Sequence, residues 1–277
     1  QESRALELGE AERVMRPVRA DLQRVQRLPQ VVDRAGEGGQ VEDEVHRALD
    51  LDVLGDVVVQ EEEVVAADVL LVESTYGDRD HRCSEDTLDE LADILQQAHR
   101  DGGNVLIPAF AVGRTQDLIF HLGRFHQQGR LPQQAVFLDS PMAIRANGIY
   151  NHYIDQFNPQ DRALLAGKGI RRIEDWLPVL RCTASPEESM AINRIKSGAI
   201  IIAGSGMCTG GRIVHHFKHN IWREECHLVF PGFQAKGTLG RAIVDGASSI
   251  KVLHQRFAVK AKVHTLGGFS AHAGHSA

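Results

Sequence analysis

An α/β fold with a mostly parallel sheet and helices on both faces is the architecture this sequence predicts. Three observations carry that expectation. From residue 68 onward, short apolar runs alternate with segments of helical period. Several of the runs end on a loop bearing a carboxylate, a proline or glycines, where open sheets place their strand-to-helix connections. The run Ala199-Ile-Ile-Ile-Ala203 is apolar at every position, the pattern of a strand covered on both faces.

The elements follow in order. Asp68-Val-Leu-Leu-Val-Glu73 is an apolar run ending on a carboxylate and reads as a buried strand. Ser84 can cap a helix whose Leu88, Leu91, Leu95 and Ala98 share one face, and Gly102-Gly103 ends it. Asn104-Val-Leu-Ile107 is the next strand. A helix follows over about 113–128, with Leu118, Ile119 and Leu122 inward. Ala135-Val-Phe-Leu138 is a strand ending at Asp139, and 142–157 has helical character. Residues 158–185 are less regular and richer in charge. Pro186 to Lys196 predicts a helix, Ala199–Ala203 a strand, about 211–220 another helix, and His227–Phe230 a further strand.

The first 67 residues have a different alphabet. They contain no Phe, Tyr, Trp, Ile, Cys, Lys, Asn or Thr, and carry 8 Arg against 16 Asp and Glu, so most of the acidity of the chain (formal net charge −6) belongs to them. With few large apolar residues there is little to bury, and an independent core is not expected. Two readings stand: an acidic, partly helical or disordered extension, and a stretch translated off-frame. The rest of the chain is near neutral, which permits a basic groove without requiring one. No apolar run reaches the ~18 residues of a membrane span, and no signal peptide is read at the start. The four cysteines stand far apart, with no CxxC pair, so a zinc knuckle or disulfide framework is not expected and a reducing, cytoplasmic setting is.

The loops at the expected strand ends carry the chemistry. Glu73-Ser-Thr-Tyr-Gly77, Pro108-Ala-Phe-Ala-Val-Gly-Arg114, Asp139-Ser-Pro-Met-Ala143 and Gly204-Ser-Gly-Met-Cys-Thr-Gly-Gly-Arg212 each follow a predicted strand. The last has four glycines ahead of a helix start. Its residues Ser205, Gly206, Thr209, Gly210, Gly211 and Arg212 either cradle a phosphate on exposed N–H groups or form a tight strand-to-helix turn. Asp139, taken alone, reads as an N-cap or turn residue. On the next helix His215 and His219 share a face. With no acidic partner beside them, they read as a polar or interdomain surface rather than a metal site.

Glu73-Ser-Thr-Tyr-Gly-Asp-Arg79, Ile107-Pro-Ala-Phe-Ala-Val-Gly-Arg-Thr-Gln116, Leu138-Asp-Ser-Pro-Met-Ala143, Ser205-Gly-Met-Cys-Thr-Gly-Gly-Arg212, Phe233-Gln-Ala-Lys-Gly-Thr-Leu-Gly240, Leu266-Gly-Gly268 and Phe269-Ser-Ala-His-Ala273 occur in this order. The set closely resembles the β-CASP branch of the metallo-β-lactamase superfamily over residues 68–277. The resemblance implies an RNA-specificity domain inserted as a cap into a metallo-β-lactamase domain, with RNA in the cleft between them. It further implies two zinc ions whose bound hydroxide attacks the phosphodiester. On that pattern, 68–77 is a metallo-β-lactamase strand, 78–245 the β-CASP domain and 246–277 an incomplete return into the first domain. Glu73 and His272 match the family's acidic and histidine motifs beside the scissile phosphate, where a His charged by a carboxylate can donate a proton to the leaving oxygen. Arg114, Ser205, Gly206, Thr209 to Arg212 and Lys236 are the expected phosphate contacts. RNA is the expected partner, no membrane is involved, and a homodimer is compatible with the pattern.

The sequence departs from the family at the metal. Residues 1–67 hold one histidine, His46, so the family's His-x-His-x-Asp-His cluster is not there. Gly55-Asp56 is a weak match to the bridging-Asp turn, and His275 stands too close to His272 to serve as the third β-CASP motif. No metal ligand is therefore assigned, and the chain is expected to be inactive alone as a truncated family member. A non-catalytic RNA-binding module is the alternative. A Rossmann-type nucleotide binder ranks last, because no GxGxxG follows the first strand.

Overall fold

The computed structural model describes residues 74–269 together with His272 and His275. The expected strand 68–73, Glu73 with it, and the 1–67 extension lie outside the described residues. So do His46 and Gly55-Asp56. The elements are α1 (Ser84–Asp101), β1 (Val105–Pro108), α2 (Arg114–Gln127), β2 (Ala135–Asp139), α3 (Pro141–His152), a 3-10 turn Ile154–Gln156, α4 (Pro159–Ala166), α5 (Ile173–Trp176), β3 (Leu180–Cys182), α6 (Pro186–Ile192), β4 (Ala199–Ala203), α7 (Arg212–Asn220), β5 (His227–Phe230), α8 (Leu239–Val244), β6 (Ser249–Val252), β7 (Gln255–Ala258) and β8 (Lys262–Thr265).

Six strands form one sheet in the order β3-β2-β4-β1-β5-β8. Every pairing in it is parallel. The hairpin β6-β7 is antiparallel and separate. The predicted α/β fold with helices on both faces is what the chain adopts. Its cause is visible in the period-2 alternation. Val105 and Ile107 of β1, Ile200 and Ile202 of β4 and Val229 of β5 pack with α1, α2 and α3 on one face. Leu106, Ala203, Leu228 and Phe230 pack with α7, α8 and β6 on the other. β4 sits inside the sheet and is fully buried, and each isoleucine buried there is worth about 1.5–3 kcal/mol of apolar transfer.

Most predicted boundaries fall within a few residues, and the differences have physical causes. Ser84 is the first residue of α1 rather than its cap; Cys83 takes that place without a side-chain bond, while Gly102 ends the helix at φ 75° as expected. The helix expected over 142–157 stops at His152 and continues as the 3-10 turn. The one expected to Lys196 stops at Ile192. The irregular stretch 158–185 contains β3, the outermost strand. Only Leu180 of its three residues is buried, so the sequence has no apolar run there. The opposite edge, β8, reads Lys-Val-His-Thr and is equally silent. It is fixed instead by polar ties. Lys262 Nζ and His227 Nε2 both donate to Asp101 Oδ2, at 2.5 and 2.8 Å. His227 stacks on His264 with 7° between the ring planes.

The segment entering the domain and the one leaving it lie side by side. His275 donates from Nδ1 to the Gly77 carbonyl at 2.9 Å and from its N–H to Arg79 O at 3.0 Å. His81 Nε2 donates to His272 O at 2.7 Å.

Candidate functional site

The strand order places β1 and β4 at the centre, and the parallel register sends their carboxyl ends to the same edge. The loops after β1, β2, β4 and β5 therefore gather there, where open α/β sheets hold ligands. The first loop is pinned from below. Ala109 N–H bonds Ala203 O at 3.1 Å, Thr115 Oγ1 donates to Phe110 O at 2.7 Å, and buried Gln116 donates to Ala111 O and to Asn147 Oδ1.

The glycine-rich loop after β4 closes on itself. Ser205 N–H and Oγ both donate to Gly210 O, at 3.1 and 3.3 Å, and Ile213 N–H returns to Gly204 O at 2.9 Å. Gly211 has φ 74°, and a Cβ there would run into the Gly204 carbonyl, so the turn requires glycine. The 233–240 loop braces it. Gln234 Nε2 donates to Gly206 O at 3.0 Å, and Gly240 N–H donates to Met207 O at 3.2 Å. Gly206 lies under the ring of Phe110, which a Cβ would approach to 3.0 Å. Thr209 and Gly211 are exposed, as is Lys236 across the brace.

Behind this loop is a polar centre sealed from solvent. Asp139 is 0% exposed and His216 1%. Asp139 Oδ2 accepts from His216 Nε2 and Ser189 Oγ, each at 2.6 Å. Its Oδ1 accepts from Thr183 Oγ1 and Arg212 Nη1, each at 2.7 Å. Burial alone would raise the Asp139 pKa, but the bonds from His216, Ser189, Thr183 and Arg212 outweigh it and hold the carboxyl below its ordinary range. Arg212 also donates to Thr183 O and Ala184 O, both at 2.9 Å. Its guanidinium thus ties the start of α7 to the β3-α6 connection and faces the protein. The expectation that Asp139 is an N-cap is corrected: Ser140 caps α3, accepting from Ala143 N–H, and leaves Asp139 free to turn inward. Of the three helical histidines it is His216, between the two that share a face, that does the linking; His215 is exposed and His219 partly so.

Arg114 opens α2 at the end of the loop after β1. Its guanidinium sits 5.6 Å over the Phe269 ring and pairs with Asp117 at 3.1 Å. Burial lowers its pKa, with Asp117 acting against that shift. Tyr76 stands 6.2 Å from both Phe233 and His272, ring centre to ring centre. Tyr76, Arg79, Arg82, Phe233, Gln234 and Arg241 are among the walls of a cleft of about 320 Å³. Of the expected site residues, Ser205 to Arg212 and Lys236 share one loop cluster; Arg114 ends the loop whose Phe110 lies on Gly206, and His272 adjoins Phe233 through Tyr76. Among the described residues no three His, Cys, Asp or Glu side chains converge as a metal site, so the donor set there does not fit a zinc pair.

An all-parallel sheet with a glycine-rich loop braced at its carboxyl edge defines an open-sheet α/β domain. Residues 115–243 match the Beta-Casp domain. The chain is 42% identical to a ribonuclease of Thermus thermophilus over 75% of its own length and 47% of that protein. An RNase J-like protein of Methanocaldococcus jannaschii is 31% identical over 74% of this chain and 46% of its own. A transcription termination factor of Thermococcus kodakarensis is 32% identical over 74% and 32%. The chain thus carries a β-CASP domain over residues 115–243 and is similar to these proteins over about three quarters of its length. It spans about half the length, or less, of these relatives. No helix among the described residues is long and apolar enough to cross a membrane.

Proposed function

We propose that this chain is the RNA-specificity portion of a metal-dependent hydrolase of RNA phosphodiester bonds, and that by itself it binds RNA without cleaving it. The clustering of Ser205 to Arg212, Lys236 and Arg114 at the carboxyl edge of the sheet carries the reading. The names of the relatives, a ribonuclease and transcription termination factors, point to action on RNA. The family is generally metal-dependent, but no three described donors converge on a metal site, so no catalytic step is assigned through a metal. In this reading 78–245 is the RNA-binding domain, the setting is cytoplasmic, and Lys236, Thr209 and the loop's N–H groups meet phosphates. Arg212 contributes by holding the loop. His272, exposed beside Tyr76, would meet the scissile phosphate together with Glu73.

The test is a titration of single-stranded RNA against the 277-residue chain at several salt concentrations, followed by incubation with zinc. Binding that weakens steeply with salt, without cleavage, supports the proposal. Indifference to RNA at low salt would overturn it. Zinc-dependent cleavage with about two metals bound would overturn the inactive-alone part only.

A further inference from the structure

The chain is poor in aromatic residues, 15 of 277, yet it leaves two phenylalanines open at the edge where the loops gather. Phe110 is 52% exposed and Phe233 44%. Neither is loose. Phe110 rests on Gly206, and its carbonyl is pinned by Thr115. Phe233 is followed by Gln234, whose amide donates to Gly206 O and to Phe233 O. The Phe110 ring thus lies on Gly206, and the Phe233 backbone is tied to the same residue through Gln234, while the Phe233 ring stands 6.2 Å from that of Tyr76. Phe233 also forms part of the cleft wall that carries Arg79, Arg82 and Arg241. Those arginines are paired with Asp78, Glu90 and Asp245. The pairs are at least partly exposed and so weak enough for a phosphate to compete with them.

Apolar faces beside guanidinium groups and a glycine-rich loop suit an unpaired base and its phosphate, since every base has a face to stack while a paired base does not offer it. We propose that Phe110 and Phe233 are the base-stacking residues of this domain, each taking the face of an unpaired nucleotide of the RNA. The inference rests on the RNA-binding reading above. Phosphate contacts then position the strand, and the two rings select for unpaired nucleotides.

The experiment compares a short single-stranded RNA, the same sequence as a duplex, and an abasic backbone of equal length. Each is titrated against the unaltered chain, Phe110→Leu, Phe233→Leu and Phe110→Trp. Each leucine variant is expected to weaken single-strand binding by ~5- to ~150-fold, while abasic binding and the salt dependence stay unchanged. Phe110→Trp keeps the affinity, and its indole fluorescence falls as RNA binds. Unchanged single-strand affinity in both leucine variants overturns the proposal. So does an equal loss toward the abasic backbone. Duplex bound as tightly as single strand overturns the stacking assignment and leaves the RNA-binding reading intact. Failure of the unaltered chain to bind any of the three overturns both. A change of oligomeric state in Phe110→Leu, with RNA binding unaltered, would assign the face to a protein partner instead.

Discussion

His216 Nε2 donates to Asp139 Oδ2 at 2.6 Å, with both side chains sealed from water. The bond links β2 to α7 across 77 residues of sequence. It fixes the helix that the glycine-rich loop feeds into. Removing one member of such a pair strands the other without its counter-group. Asp139→Asn is expected to lower stability by about 3 kcal/mol in urea unfolding and to loosen the 204–212 loop. His216→Ala should act in the same direction. Wild-type stability in both would dismiss the link as incidental.

Acid should destabilise the domain in two stages. Burial beside Phe120 and Phe269 pushes the His121 pKa down to about 4 from 6.5, with Arg124 adding to the shift. The unfolded chain therefore binds the proton first, and stability falls as pH drops from 6.5 toward 4. Asp139 has the depressed pKa of a bonded carboxylate, so its contribution is present above 3.8 and is lost below it. His121→Gln should flatten the first stage by on the order of 2 kcal/mol and leave the second. Thermal unfolding scanned against pH separates them, and a His121→Gln profile parallel to wild type would count against the assignment.

Two glycines should resist even alanine. At Gly211 the added methyl meets the Gly204 carbonyl and the φ is positive; at Gly240 it meets the Gln234 amide. Each Gly→Ala substitution is expected to cost roughly 2 kcal/mol or more. The control is Gly148→Ala, where nothing lies near the new methyl. Hydrogen exchange at 204–212 is the informative measurement, since Gly240→Ala should raise exchange in a loop it does not belong to.

Lys236 is exposed on the bracing loop and is assigned a phosphate. Lys236→Gln should weaken RNA binding uniformly across sequences and reduce the salt slope by about 1. Arg114→Gln should also disturb the Phe269 packing, so its loss of affinity should come with a lowered melting temperature. A sequence-dependent effect of Lys236→Gln would contradict its role.

Much of this was legible beforehand, for a physical reason. β1, β2, β4 and β5 lie inside the sheet, so burial forces apolar runs onto them. The edges β3 and β8 need no such run, and Leu180-Arg-Cys182 and Lys262-Val-His-Thr265 show none. The loops were legible because glycine and proline are demanded locally. The Asp139 centre was not, because its partners Thr183, Ser189, Arg212 and His216 lie 44 to 77 residues away and are bonded across space. The nearest signal is the Ser-Pro that follows Asp139. Ser140 and Pro141 already supply the cap and first turn of α3, which leaves the aspartate for another use.

The meeting of His275 with Gly77 and Arg79 has a consequence for chain economy. A loop of about 200 residues ordinarily costs roughly 5 kcal/mol of closure entropy. Here the domain's own folding brings its two stems together. A host fold could carry such a domain between two of its own elements without widening the path of its backbone, and either fold could vary while the junction stayed put.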